Sequence, residues 1–164
     1  MPGEDLQRMM KSHPPFKMID ISEKPPLHRE ATAEGEIRLG PRTIRLIKTG
    51  RVEKGNPIVI ATIAGVAGAK LTPSLMPLCH PLQIESIKIQ PTVTKDGVRV
   101  KATVKSTGKT GVEMEALTAV SAALLNIWDV VKMYEKDEKG QYPTTLIANI
   151  RVVRKVKEGA KREE

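Results

Sequence analysis

The stretch from residue 84 to 106, IESIKIQPTVTKDGVRVKATVKS, constrains the fold more than any other. Two runs in which apolar and polar residues alternate flank an Asp-Gly pair. Alternation at period two sends successive side chains to opposite faces of a strand, and Asp-Gly is a strong hairpin-turn signal. The stretch predicts an antiparallel hairpin with one wet face. TGKTG then leads into VEMEALTAVSAALLNIWDVVKM (112–133), where Leu117, Val120, Leu124, Ile127 and Val131 recur at helical spacing. A hairpin that feeds a long amphipathic helix buries its apolar face beneath that helix.

The other segments fit around this unit. HREATAEGEIRL (28–39) alternates Ala31, Ala33, Gly35 and Ile37 with polar residues and reads as a strand. GPRTIRLIKTG (40–50) begins with Pro41 and ends in Gly50, as a short helix would. NPIVIATIAGVAGAKL (56–71) has Asn56 as a candidate cap and Pro57 at the first helical position, so a buried helix is favoured over a strand. Its small residues Ala61, Ala64, Gly65 and Gly68 allow another backbone to approach closely, within the domain or outside it. KMIDIS (17–22) is a short extended segment and TTLIANIRVVRKVK (144–157) a last strand. The order β-α-β-β-α-β is that of the split βαβ, a ferredoxin-like α+β fold: an antiparallel sheet with helices packed on one face. One domain is expected over 17–157, preceded by a mobile N-terminal segment (1–16) and followed by a charged tail (158–164).

The chain carries a formal net charge of +8, which suits phosphate-rich partners. Aromatic residues make up only 2 %: Phe16, Trp128, Tyr134 and Tyr142. Proteins that hold single-stranded nucleic acid combine positive charge with aromatic stacking platforms, so a small phosphorylated ligand is favoured over a polynucleotide, and no nucleic-acid partner is expected. One cysteine excludes an internal disulfide and fits a reducing compartment, the cytoplasm. MPGEDLQRMMKSHPPF lacks the apolar run of a signal peptide. The longest apolar run, PIVIATIAGVAGA, is about 13 residues against the roughly 20 of a membrane helix, so no membrane association is expected.

SLMPLCHPLQI (74–84) sets Cys79 and His80 between Pro77 and Pro81. Zinc needs three or four ligands of suitable type. The only other histidines, His13 and His28, lie far off in sequence, so no metal site is expected. A thiol nucleophile needs a base and an electropositive niche, and an adjacent His80 seldom points correctly; a buried structural thiol fits Cys79 better. Each proline restricts the residue before it to extended conformations, so the loop presents His80 at a defined place. STGKTG lacks the first glycine of a Walker loop, since Thr103 occupies that position. It still delivers the chain to a helix N-terminus, which favours an anion or is a plain glycine-rich connector. Glu113 and Glu115, two residues apart, point to different sides of the helix and are no matched acid/base couple. A second stripe, Glu115, Thr118, Ala122, Asn126, Asp129 and Met133, reads by default as a solvent-facing side.

Taken together, KGN, AGVAGAK, PLCHPL, TGKTGVEMEALTA and WDVVK resemble, in order and spacing, the MoaC family, the cyclic pyranopterin monophosphate synthases of molybdenum cofactor biosynthesis. The resemblance runs from about Met18 to Lys132. It implies a lyase that rearranges a cyclic dihydroguanosine triphosphate, made from GTP, into a pterin with a cyclic phosphate and releases pyrophosphate. It implies a ferredoxin-like fold and a homohexamer, a trimer of dimers with active sites between subunits. No cofactor is implied, although Mg²⁺ can accompany the triphosphate. The family's substrate-binding residues fall on Leu78, Cys79, His80, Glu113, Met114, Glu115 and Arg29. Its catalytic residues fall on Asp129, Lys54, Lys70 and Lys132. On this reading the lysines and Arg29, with Lys109, offset phosphate charge, and lysines crowded together have lowered pKa values. Lys17 stands where the family often has His, Asn56 where it has Asp, and the common ending SGGKSG is replaced by ANIRVVRKVKEGAK. The alternative is a basic ferredoxin-like module that binds RNA or a nucleotide without chemistry. Helix rise adds a constraint. Glu115 and Asp129 lie 14 residues apart, roughly 21 Å along one helix, so a single reacting centre that uses both draws them from two chains.

Overall fold

A computed structural model describes residues 16–158. The mobile N-terminal segment and charged tail expected from the sequence lie, but for Phe16 and Glu158, outside the described residues. Strands β1 (Leu27–Arg38), β2 (Ser86–Val93), β3 (Gly97–Gly108) and β4 (Leu146–Glu158) form one sheet in the order β2-β3-β1-β4. Every pairing is antiparallel. Helices α1 (Pro41–Lys48), α2 (Pro57–Leu75) and α3 (Glu113–Val131) complete the α+β, ferredoxin-like arrangement. KMIDIS forms no strand.

Alternation dictates the two faces. Ala31, Ala33 and Ile37 of β1 and Val98, Val100, Ala102 and Val104 of β3 are buried against the helices. The opposite face of β1 carries Glu30, Glu34 and Glu36, which pair with Lys105, Arg154, Arg151 and Arg99 of the flanking strands. Exposed pairs of this kind contribute less than about 1 kcal/mol each; they keep that face wet and its charge nearly balanced. Gly97 closes the hairpin at φ +152, and a Cβ there would strike the Ile37 carbonyl at 1.9 Å. That close approach explains the Asp-Gly signal.

α2 begins as its sequence predicts: the Asn56 side chain accepts from the backbone N–H of Ile58 at 2.9 Å and of Val59 at 3.3 Å. It then runs for 19 residues, past the apolar run of about 13 and through Pro73. α2 and the segment Glu113–Tyr134 are each long and apolar enough to cross a membrane; more than half of the second is buried in the domain, as in a core helix, whereas only 28% of α2 is.

The small-residue stripe of α2 is consumed inside the domain. Gly65 meets Ile89 of β2, and Gly68 meets Thr118 and Ala122 of α3. Thr118, in that contact, and Glu115, one turn before it, are buried, against the expectation of a solvent-facing second stripe. Only its far end, Asn126, Asp129 and Met133, is exposed. Large apolar side chains stay exposed: Val59, Ile60, Ile63, Leu71 and Leu75 on α2, Leu125 on α3 and Met133 just after it.

A polar staple fixes the other end. The buried Glu135 carboxylate accepts from the Gly40 backbone N–H at 3.0 and 3.1 Å and from the hydroxyls of Thr43 and Thr145. It stands in for the missing cap of α1, whose Gly40 has no side chain to supply one. Next to it, the Tyr134 hydroxyl accepts from the Glu53 N–H at 2.9 Å and so holds the loop that carries Lys54.

Gly68→Ala tests the helix contact. A Cβ at Gly68 would lie 2.6 Å from that of Ala122 and 2.9 Å from the Thr118 carbonyl oxygen. Helix propensity alone favours alanine by about 1 kcal/mol, whereas overpacking costs about 1–3 kcal/mol. A lower denaturation midpoint with an unchanged slope is expected; a more stable variant would contradict the packing.

Candidate functional site

Two polar clusters sit at opposite ends of α3. The first is a cleft of about 440 Å³ at its N-terminal end. α2 ends at Leu75, and Met76 leaves the helical region at φ -120 and ψ 87, in keeping with the bias that the following Pro77 imposes. The loop then turns, the Cys79 N–H donating to the Met76 carbonyl at 2.9 Å. It is tied to β3 by the Ser106 hydroxyl, which donates to Gln83 O at 2.7 Å, and by the Glu85 N–H, which donates to Lys105 O at 2.9 Å. Leu78, Cys79 and His80 are thereby presented to Glu113, Met114 and Glu115 across the cleft. Six of the seven substrate-binding residues expected from the sequence are brought together in one place.

The seventh, Arg29, does not line this cleft. It is buried on β1, where its Nε donates to Gly108 O at 3.4 Å, two residues before Thr110 on the cleft wall. Among the described residues no carboxylate lies within 4.0 Å of its guanidinium.

Glu113 and Glu115 share the cleft although their spacing directs them to different sides of the helix. The cleft wraps around the helix end: Glu113 folds back against Gly111, while Glu115 points inward and is only 3 % exposed. Burial, first, and the nearby Glu113 charge push the Glu115 carboxyl above the usual range, against the pull of its own backbone N–H. Burial, then the Glu115 charge, also raise the Cys79 thiol. A raised thiol is a poor nucleophile at neutral pH, so Cys79 is a lining residue.

The opposite wall was not foreseen. Ile19, Ile21 and Lys24 come from the segment 17–24 that precedes β1, and Lys155 from β4. The segment is shaped by Asp20, whose carboxylate accepts from the Ser22 N–H at 2.9 Å and hydroxyl at 2.7 Å. It is anchored by Lys109, whose Nζ donates to Ser22 O at 2.6 Å. In this state Lys109 serves the segment rather than an anion.

The second cluster lies at the far end of α3. Asp129 receives Lys54 Nζ at 3.2 Å and Lys132 Nζ at 2.7 Å, and its backbone carbonyl accepts a further bond from Lys54 at 3.1 Å. The two ammonium groups, Lys132 first, hold the Asp129 carboxyl below its usual range. Asp129 in turn raises Lys132, the reverse of the lowered value expected for crowded lysines, because a carboxylate stands between the cations. Lys70 is exposed on α2 and joins neither cluster within the chain. Among the described residues no three His, Cys, Asp or Glu side chains are placed to hold a metal ion.

A ferredoxin-like module that binds RNA reads it with aromatics on the open sheet face. Here that face carries the Glu30, Glu34 and Glu36 ion pairs, and no Phe, Tyr or Trp lies in β1 or β3.

The fold and the two clusters define a ferredoxin-like α+β domain whose helix α3 bears a carboxylate-lined cleft at one end and a lysine–aspartate cluster at the other. The model of the MoaC family matches residues 18–158, and the chain belongs to that family. Among its relatives, the probable cyclic pyranopterin monophosphate synthase of Archaeoglobus fulgidus is 58% identical over 143 residues, covering 87% of this chain and 92% of the relative. Proteins of the same description from Sulfurisphaera tokodaii and Pyrococcus horikoshii are 54% and 52% identical over 141 residues each, covering 86% of this chain and 93% and 89% of theirs.

The raised Glu115 carboxyl fixes a sign. Its folded pKa lies above the unfolded value, so this group's contribution to stability is fully present below the ordinary carboxylate range and is lost as pH rises through the folded value. Glu115→Gln should remove that loss. Tm measured against pH should fall less for the variant than for the parent between the usual carboxylate range and neutrality; superimposable slopes would contradict it.

Proposed function

We propose that this chain is a cyclic pyranopterin monophosphate synthase. It takes a cyclic dihydroguanosine triphosphate, formed from GTP, rearranges it to the pterin, closes a cyclic phosphate and releases pyrophosphate. The observation that carries the reading is the convergence of Leu78, Cys79, His80, Glu113, Met114 and Glu115, from two distant segments, on one cleft, in a chain more than half identical to proteins described by that activity.

The chemistry distributes roles between the clusters. The cleft offers acceptors at Glu113 and Glu115 and apolar contact at Leu78 and Met114, which suits the donor-rich guanine-derived ring. The cations Lys54, Lys70, Lys132 and Arg29 offset charge on the phosphates and on the departing pyrophosphate. Asp129, pinned between two ammonium groups, is a weak base at rest. When substrate phosphates draw those ammonium groups away, its basicity rises and it takes a proton during ring rearrangement.

Fourteen residues of α3 separate Glu115 from Asp129, roughly 21 Å. The complete site therefore joins the cleft of one subunit to the Asp129 cluster of another. The open apolar surface of α2, with Leu125 and Met133, suits such a subunit contact. A two-fold pairing makes two equivalent sites, and three such pairs give the hexamer. The single thiol suits the cytoplasm.

Incubation with the cyclic triphosphate should yield pyrophosphate and, after oxidation, a fluorescent pterin. Asp129→Asn should lower the rate by about 10²–10⁴ with little change in Tm, because its ion pairs are exposed. Nucleotide binding without pyrophosphate release, or near-normal release by folded Asp129→Asn, would overturn the reading.

A further inference from the structure

β4 is an edge strand whose register against β1 shifts twice, once between Glu34 and Glu36 and again between Thr32 and Ala33. Its register against β1 pairs Ala33 with Val152 and Thr32 with Arg154, which leaves Val153 as an extra residue. Such a bulge re-aims every side chain beyond it. Arg151 and Arg154 both face the open side, where they pair with Glu34 and Glu30. Beyond the bulge Lys155 lies opposite Ala31, and Lys157 opposite Arg29, on the face that carries the helices. Had the register of Ala33 with Val152 continued unbroken, Val156 would take that side and both lysines would join the wet face.

Two observations show what these cations face. Lys155 forms an ion pair with Glu113 and lines the cleft with His80. Arg29, its diagonal neighbour across the β1–β4 pair, is 8% exposed and has no acidic partner among the described residues. Diagonal positions of this kind are about 7–8 Å apart, which a phosphate group bridges between two long side chains. Buried cations are ordinarily paired; an unpaired one beside a cleft is poised for an anionic ligand. An ammonium has three donors, so the bond to Glu113 fixes Lys155 and leaves two for a ligand.

We propose that Lys155, on the β4 wall of the ring-binding cleft beside Arg29, is a binding residue for the phosphates where they leave that cleft, placed there by the register shift at Val153, held by Glu113, and acting together with Arg29. This rests on the substrate class proposed above, a nucleotide-derived triphosphate. β4 thus supplies a cation to the site from a stretch, ANIRVVRKVKEGAK, in which the family resemblance fades.

The test uses the full chain in its native assembly and two probes, the cyclic triphosphate in turnover and inorganic triphosphate in titration calorimetry. Lys155→Met keeps the length of the side chain and removes its charge. It should raise KM and weaken inorganic triphosphate by about tenfold, roughly one charge-assisted contact, while kcat stays within about twofold and Tm is unchanged. Lys155→Arg should restore both constants. Unaltered KM and triphosphate affinity in Lys155→Met, or losses that appear only with a fall in Tm, overturn the proposal. Calorimetry needs no turnover. If the parent protein failed to process the cyclic triphosphate while Lys155→Met still lost affinity for inorganic triphosphate, the synthase reading would fall and the anion role of Lys155 would stand.

Discussion

The closeness of α2 and α3 governs the rest of the structure. Gly68 lets the two backbones approach until the Thr118 carbonyl and the Ala122 methyl group occupy the space of its missing side chain. Thr118, in that contact, and Glu115, one turn before it on α3, are both buried. α2 then ends at Leu75, and the loop that follows carries Leu78, Cys79 and His80 to the first turn of α3. A larger residue at the crossing would push the two helices apart.

Electrostatics then divides α3 by function. At its start two carboxylates face a cleft; one is buried and raised, the other neutralised by Lys155. At its far end Asp129 sits between Lys54 and Lys132 and is lowered. The same side-chain type thus has opposite proton affinity at the two ends, because one end is dry and acidic while the other is wet and cationic. That difference suits the proposed division between ring recognition at one end and proton transfer at the other. The Glu135 staple and the Tyr134 hydroxyl keep the second cluster in register with the fold through Glu53, next to Lys54.

Much of this was legible in the sequence, because the signals are local. The Asp-Gly hairpin, the Asn56 cap and the restriction before Pro77 each depend on neighbours a few residues away, and each stands where its pattern puts it. The cleft residues Leu78 to His80 and Glu113 to Glu115 followed from motif resemblance, and the structure gathers them. What escaped depends on distant partners. The burial of Thr118 needs α2 to arrive with a glycine. The raised Lys132 needs Asp129 to point at it. The Glu135 staple joins residues 95 apart in sequence. Lys155 leaves a trace, the doublet Val152–Val153, which breaks the alternation of the last strand, but only pairing with β1 reveals which face it gains.

The central claim is that neither end of α3 suffices and that two subunits complete each site. Mixing Asp129→Asn chains with Glu115→Gln chains, with subunit exchange verified by mass spectrometry, tests it most directly. In a two-fold pair of unlike chains one site has both native residues and the other has neither. Random exchange should therefore restore about a quarter of the parent activity from two nearly inactive preparations. No recovery after verified exchange would contradict the shared site and return the chemistry to a single chain.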